Sequence, residues 1–145
     1  MSDNPLIKKL MIDTAPFIYY IEEHQRYLPI IKPIFDQIDS FKFEAITSTI
    51  TLLEVLVFPK KQNNLYLESQ YVEILTQNAS IELVDITIEV AQIASEIRAY
   101  YDIKTPDALQ IASGIANNCD SFLTNDKALK KVKEIKVLVL DELSK

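Results

Sequence analysis

Four acidic residues stand where an apolar stretch ends or a helix is expected to begin, and acids placed in this way can bind metal ions. They are Asp13 after LIKKLMI, Glu54 in TLLEVL, Asp107 in KTPDAL and Asp126 in SFLTND. Mg²⁺ and Mn²⁺ prefer carboxylate oxygens, whereas zinc prefers His or Cys, of which the chain has one each. Two such ions about 3.5 to 4 Å apart would activate water and stabilise the leaving oxygen in phosphodiester cleavage.

Each acid also has a structural explanation when it is considered alone. Glu54 fits a capping box with Thr51, Asp107 fits a helix start, and Asp126 could cap a helix over KALKK. Asp13 is harder to explain, because an acid that ends a strand caps nothing unless the next helix starts at once. Four carboxylates on one edge would repel each other, so their clustering favours a compensating cation.

Strands and helices alternate along the apolar pattern that must position these acids. Strands are predicted at residues 6–13, 43–47, 81–84, 119–123 and 135–140. Helices are predicted at residues 15–23, 32–39, 66–77, 87–101 and 106–117, and over TLLEVLVFP, which Pro59 would terminate. The alternation favours an α/β fold of three layers, with a mainly parallel central sheet of about five strands.

Ligands in such folds bind at the carboxyl edge of the sheet, where the four acids would meet. Asp85 ends the third strand and could lie on the same edge, but we interpret it as a helix cap. Pro29 and Pro33 are expected to lie in the approach and first turn of the second helix, where a missing N–H group matters little.

Composition narrows the class of protein further. The 145 residues are 48% hydrophobic and 25% charged, which predicts one globular domain over residues 1–145. The single glycine, Gly114, excludes glycine-rich phosphate-binding loops, and we expect it to be structural. The single cysteine, Cys119, excludes a disulfide, and we see neither a signal peptide nor an apolar run of roughly 20 residues. A cytoplasmic protein without membrane association is expected.

Three stretches resemble the acidic motifs of the PIN-domain family, particularly the VapC-type toxin ribonucleases of toxin–antitoxin modules. They are LMIDTAPFIYYIE, TSTITLLEVL and KTPDALQIASGIANNCDSFLTND, which together span nearly the whole chain. The last is the most specific, because an acid heading a helix rich in small residues, then a strand, then T-N-D is a distinctive order. The resemblance implies that the four acids are catalytic metal ligands supported by Thr124 and Asn125.

The resemblance also implies an activity and partners. The activity would be Mg²⁺- or Mn²⁺-dependent hydrolysis of RNA phosphodiesters, leaving 5′-phosphate and 3′-hydroxyl ends. The partners would be RNA, a second copy of the chain, and a cognate antitoxin whose terminal segment occupies the active site. Such a mechanism needs no histidine base, so His24 is expected to be a surface residue.

The net charge of −6 requires positive charge to be gathered locally if RNA is to bind. Five lysines follow Asp126 within ten residues, and Lys127, Lys130 and Lys131 are the candidate RNA contacts, although a solvated helix face would look the same. The low pI and the presence of only two arginines depart from the usual toxin.

Two other functions remain open at this point. A catalytically silent PIN-like module could act in RNA binding or assembly with the same fold. A phosphohydrolase with Asp13 as covalent nucleophile is less compatible, because Asp13-Thr14-Ala15 lacks the second acid of a D-x-D loop.

Overall fold

The computed structural model describes residues 7–143, in which five short strands form one parallel sheet. The strands are β1 (Lys9–Ile12), β2 (Glu44–Ser48), β3 (Ile81–Val84), β4 (Ser121–Thr124) and β5 (Lys136–Val139). The helices are α1 (Thr14–Ile21), α2 (Leu28–Asp39), α3 (Thr49–Lys61), α4 (Leu65–Thr76), α5 (Ile88–Tyr101) and α6 (Thr105–Ala116). The predicted α/β class is confirmed, with every strand pair parallel. Residue 6, the predicted start of the first strand, lies outside the described residues.

The strand order β3-β2-β1-β4-β5 puts β1 in the middle of the sheet. Leu10, Met11 and Ile12 on β1 are fully buried, as expected for a parallel strand covered on both faces. Ile12 pairs with Leu123 of β4, so the residues that follow the two strands meet at the carboxyl edge.

Two hydrophobic cores lie on opposite faces of the sheet. One is built from α1 to α4 and contains the buried rings of Phe17, Phe35 and Tyr71. The other is built from α5 and α6. The structure gives Gly114 on α6 the structural role expected from the sequence. A Cβ atom there would lie only 3.0 Å from Cβ of Met11 on β1. The central strand and α6 therefore approach closely.

The predicted positions of Pro33 and Pro59 relative to the helices are wrong. The second helix begins at Leu28 rather than near residue 32, which places Pro33 inside α2 instead of in its first turn. The third helix runs through Pro59 to Lys61 instead of ending there. A proline removes only its own N–H donor, and the amide of Gln62 still donates to Phe58 O at 3.0 Å, so the turn after Pro59 is retained.

The segment KALKK forms a short 3-10 turn, Lys127–Lys131, between β4 and β5. A second 3-10 turn, Leu140–Leu143, follows β5. Across residues 7–143, none of the helices combines the length and the apolar character that a membrane-spanning helix needs.

Candidate active site

Asp13 is the residue directly after β1, and it caps α1 at the same time. Its Oδ1 atom accepts a hydrogen bond from the Thr14 amide at 2.8 Å, and its Oδ2 atom accepts one from Thr124 Oγ1 at 2.8 Å. Burial raises the pKa of Asp13 to about 6, against the opposing effect of these two hydrogen bonds. The charges of Asp107 and Glu54 raise it further. A nearby cation would stabilise the ionised form of a carboxyl group in this position.

Glu54 points toward Asp13 from α3, and it lies further into the helix than a capping box with Thr51 would place it. It is the sixth residue of α3, and its Oε1 atom accepts a hydrogen bond from Thr14 Oγ1 at 2.5 Å. The capping box with Thr51 is wrong, because Ser48 caps the helix by accepting from the Ile50 amide at 3.1 Å. Because the helix is capped three residues earlier than predicted, Glu54 lies against the start of α1 instead of at its own helix terminus.

Asp107 is the third residue of α6 and is half-buried. Burial is the largest cause that raises the pKa of Asp107, and the charges of Asp126 and Glu54 raise it further. The charge of Lys104 lowers it. Asp126 is exposed and caps the turn Lys127–Lys131, with Oδ1 accepting from the Ala128 amide at 3.0 Å. The capping role predicted for Asp126 is therefore present in the structure alongside its proximity to Asp107.

The four acids thus form one electrostatic group at the carboxyl edge, because the charges of Asp107 and Glu54 raise the pKa of Asp13, and those of Asp126 and Glu54 raise the pKa of Asp107. They do not form a closed set of ligands: within residues 7–143, no three His, Cys, Asp or Glu side chains are arranged to hold a metal ion. Magnesium is usually held by one or two carboxylates together with water and substrate phosphate. The all-oxygen donors and their mutual repulsion fit such an open magnesium or manganese site.

Gln110 is a central residue of this region that the sequence analysis missed. It is 1% exposed, and its Nε2 atom donates to Thr51 Oγ1 at 2.7 Å and approaches Asp13 Oδ1 and Thr14 Oγ1 at 3.3 Å. Its Oε1 atom accepts from Ser48 Oγ at 2.5 Å. The available signal was a polar side chain one helical turn after Asp107, on the apolar face of α6.

Thr124 and Asn125 support different parts of the region. The Thr124 hydroxyl donates to Asp13 and accepts from the Asp126 amide at 3.2 Å, so it links two of the acids. Asn125 contacts other elements: Nδ2 donates to Tyr19 Oη at 3.3 Å, and Oδ1 accepts from the Asp141 amide at 3.1 Å. Asn125 therefore braces the loop after β4 between α1 and the turn after β5.

The three candidate RNA-contact lysines occupy different positions. Lys131 lines a cleft of about 190 Å³ together with Asp107 and Asp126. Lys127 is exposed at the start of the turn. Lys130 forms an ion pair with Glu142 at 2.8 Å, which engages its ammonium group outside the cleft.

Three other residues considered from the sequence lie apart from this chemistry. Thr87, not Asp85, caps α5 by accepting from the Val90 amide, so the interpretation of Asp85 as a cap is wrong. His24 is exposed and packs its ring against Tyr19 and Tyr27. The thiol of Cys119 is half-buried, and burial raises its pKa.

A parallel sheet covered by helices, with acids at its carboxyl edge, defines an α/β protein whose candidate site lies where the strands end. Comparison with known families makes this class specific. The sequence profile of the PIN domain family matches residues 10–135, and the chain belongs to that family.

Solved structures share the fold at low sequence identity. VapBC2 from Rickettsia felis, bound to a DNA fragment from its promoter, matches at 18% identity and TM-score 0.73, covering 90% of this chain and 98% of that chain. A toxin–antitoxin complex from Klebsiella pneumoniae matches at 20% identity and TM-score 0.70, covering 92% and 98%. VapC20 from Mycobacterium tuberculosis, a toxin that cleaves the sarcin–ricin loop, matches at 13% identity and TM-score 0.64, covering 79% and 87%. A search of curated protein sequences finds no match.

Proposed function

We propose that the protein is a divalent-metal-dependent endoribonuclease and acts as the toxin of a type II toxin–antitoxin module. The observation that carries this proposal is the group of four acids, connected by their charge effects, at the carboxyl edge of a PIN-domain sheet. The structures with this fold include toxin–antitoxin complexes and an RNA-cleaving toxin, which supports the choice of RNA as substrate.

Asp13, Glu54, Asp107 and Asp126 would hold the ion, Mg²⁺ or Mn²⁺. When bound, the ion would supply Lewis-acid stabilisation of the phosphate and lower the pKa of a water molecule. Thr124 and the Thr14 amide fix the direction of the Asp13 carboxylate, and the Thr14 hydroxyl fixes that of Glu54. These hydrogen bonds hold two carboxylates in place before substrate arrives, which lowers the reorganisation needed for phosphodiester hydrolysis.

The proposed partners follow from the same function. A toxin of this type would be neutralised by a cognate antitoxin and would act on cellular RNA in the cytoplasm. A homodimer is also proposed, and several large apolar side chains on α3 and α4 are exposed and available for association with other chains. They are Leu53, Val57, Phe58, Leu65 and Tyr66.

The proposal is tested by incubating the purified protein with RNA in Mg²⁺, in Mn²⁺ and in EDTA. Cleavage is expected in both metals and not in EDTA, with products that carry 5′-phosphate ends. Cleavage that persists in EDTA and leaves 2′,3′-cyclic phosphate ends would contradict a metal-dependent hydrolysis.

A catalytically silent RNA-binding or assembly module is the second candidate. It is favoured by one observation, the lack of a closed three-residue ligand set within residues 7–143. Calorimetric titration with Mg²⁺ and Mn²⁺ separates the two functions. The nuclease should bind either ion with better than millimolar affinity, whereas a silent module should show no such binding.

A further inference from the structure

The cleft beside Asp107 and Asp126 contains two lysines that come from separate parts of the chain. Lys104 precedes α6 and Lys131 ends the turn after β4, yet both line the same cleft of about 190 Å³. Lys104 lies in a stretch that carries no run of positive charge, so the sequence pattern did not single it out. The fold therefore brings positive charge to the acidic edge from two sides.

Lys104 and Lys131 are exposed, and in the described part of the chain, residues 7–143, neither forms an ion pair with a carboxylate. Within residues 7–143 the ion pairs involve four other cations, namely Arg26, Lys32, Lys60 and Lys130. Lys104 and Lys131 line the cleft together with Asp107 and Asp126. Two cations next to an excess of carboxylates remain available to a negatively charged ligand.

We propose that Lys104 and Lys131 bind the RNA backbone at the acid cleft and position one phosphate beside Asp107 and Asp126. This inference rests on the proposed ribonuclease function and specifies the residues that hold its substrate. The cleft is smaller than the roughly 300 to 1,000 Å³ of sites that enclose a whole small ligand, so it fits one phosphate group of a continuing chain. Lys130, held by Glu142, is assigned no such contact.

Salt dependence of RNA binding gives a readout that does not depend on catalysis. A lysine that neutralises one phosphate of a single strand contributes about 0.7 to the slope of log affinity against log salt. We would measure binding of a fluorescein-labelled single-stranded RNA by anisotropy in Mg²⁺, in an Asp13→Asn background to prevent cleavage. Lys104→Ala and Lys131→Ala should each reduce the slope, and the double variant, which releases the one phosphate that both lysines hold, should reduce it by about 0.7.

The control is Lys42→Ala, because Lys42 is exposed and precedes β2 at the opposite end of the sheet. It should leave the slope unchanged, and Lys104→Arg should restore it because the positive charge returns. In the cleaving protein, Lys104→Ala should raise KM by three- to tenfold with little change in kcat. Melting curves should be unaffected, since Lys104 makes no side-chain cap to α6.

Two results would overturn the inference, and they are distinguishable. If the wild-type protein cleaves RNA and the Lys104 and Lys131 variants keep its salt slope and KM, the lysines do not hold the substrate. If the wild-type protein neither binds nor cleaves RNA with metal present, the proposed function fails and this inference fails with it.

Discussion

Asp13 combines a structural and an electrostatic role in one side chain. It caps α1 and accepts a hydrogen bond from the Thr124 hydroxyl, yet its burial and its acidic neighbours make its ionisation unfavourable. The sequence identified Asp13 as an acid that ends a strand, and the helix that starts at once explains the cap. What remains unexplained by capping is the concentration of negative charge around it.

The pKa of Asp13 predicts how stability changes with pH. Because the folded-state pKa is about 6 and the ordinary value is 3.8, the folded protein keeps this proton after the unfolded chain has lost it. Ionisation of Asp13 therefore destabilises the fold progressively from pH 4 to pH 6, and the full penalty of about 3 kcal/mol applies above that.

In EDTA, Asp13→Asn should thus be more stable than the wild type at pH 7.5, by up to about 3 kcal/mol, and nearly equal at pH 4. Urea unfolding at the two pH values measures the difference. Asp85→Asn, which changes an exposed acid at the end of β3, is the control and should show no such trend. An Asp13→Asn variant that is less stable at both pH values would contradict the role of burial.

Gln110 shows what residue patterns alone could not reveal. The four acids were identifiable because each stands next to a strand end or helix start, whereas Gln110 lies within α6 among apolar residues. Its importance comes from hydrogen bonds to α3 and to the start of α1, which depend on how the helices pack. Helix packing is set by side chains distant in sequence, so no local pattern indicates it.

Replacing Gln110 with Met keeps the length of the side chain and removes its hydrogen bonds. The buried hydroxyl of Ser48 then loses its acceptor, and Thr51 loses a donor. We expect the free energy of unfolding to fall by about 1 to 3 kcal/mol. Gln92→Met on the exposed side of α5 is the matched control and should change it by less than about 0.5 kcal/mol.

At the scale of elements, the apolar periodicity predicted each strand and helix, but two helix boundaries were wrong at prolines. Pro33 and Pro59 are accommodated inside helices because neighbouring amides still find acceptors. Strand order was not readable, since parallel strands distant in sequence pair through contacts that no local pattern encodes. The position of β1 between β2 and β4 is what brings Asp13 next to Thr124.

The contact between α6 and β1 can be tested at Gly114. A Cβ atom there would meet Met11 Cβ at 3.0 Å and Ile135 Cδ1 at 3.1 Å, and the Met11 atom is attached to the backbone of the central strand. Gly114→Ala should therefore lower the midpoint of urea unfolding, although alanine is favoured over glycine in a helix by about 1 kcal/mol. Ser95→Ala on the exposed face of α5 should leave the midpoint nearly unchanged. A stabilising Gly114→Ala would show that the two elements have room to separate.

For the whole molecule, the net charge of −6 has a different meaning once the site is located. The four acids of the candidate site account for part of the excess negative charge. Lys104 and Lys131 line a cleft with two of these acids, Asp107 and Asp126. Overall acidity was a poor guide to nucleic-acid binding, because the arrangement of charge matters more than its sum. The single glycine was more informative, because it excluded glycine-rich phosphate-binding loops.

Metal binding should stabilise the folded molecule, because the unfolded chain does not bring the acids together. At ten times its dissociation constant, Mg²⁺ should add about 1.4 kcal/mol, equivalent to a rise in Tm of about 3 to 6 °C. NaCl at matched ionic strength should not reproduce the rise, and Asp107→Asn should abolish most of it. Equal responses of the wild type and Asp107→Asn would place the bound ion elsewhere.

The central claim is that the acids at the carboxyl edge catalyse metal-dependent RNA cleavage, and one rate comparison tests it most directly. The rate of Mg²⁺-dependent cleavage of one RNA substrate is measured for the wild type, Asp13→Asn and Asp85→Asn under identical conditions. We predict a loss of at least about 100-fold, roughly 2.7 kcal/mol, for Asp13→Asn and wild-type activity for Asp85→Asn. Full activity of Asp13→Asn, in a protein shown to be folded, would contradict the account.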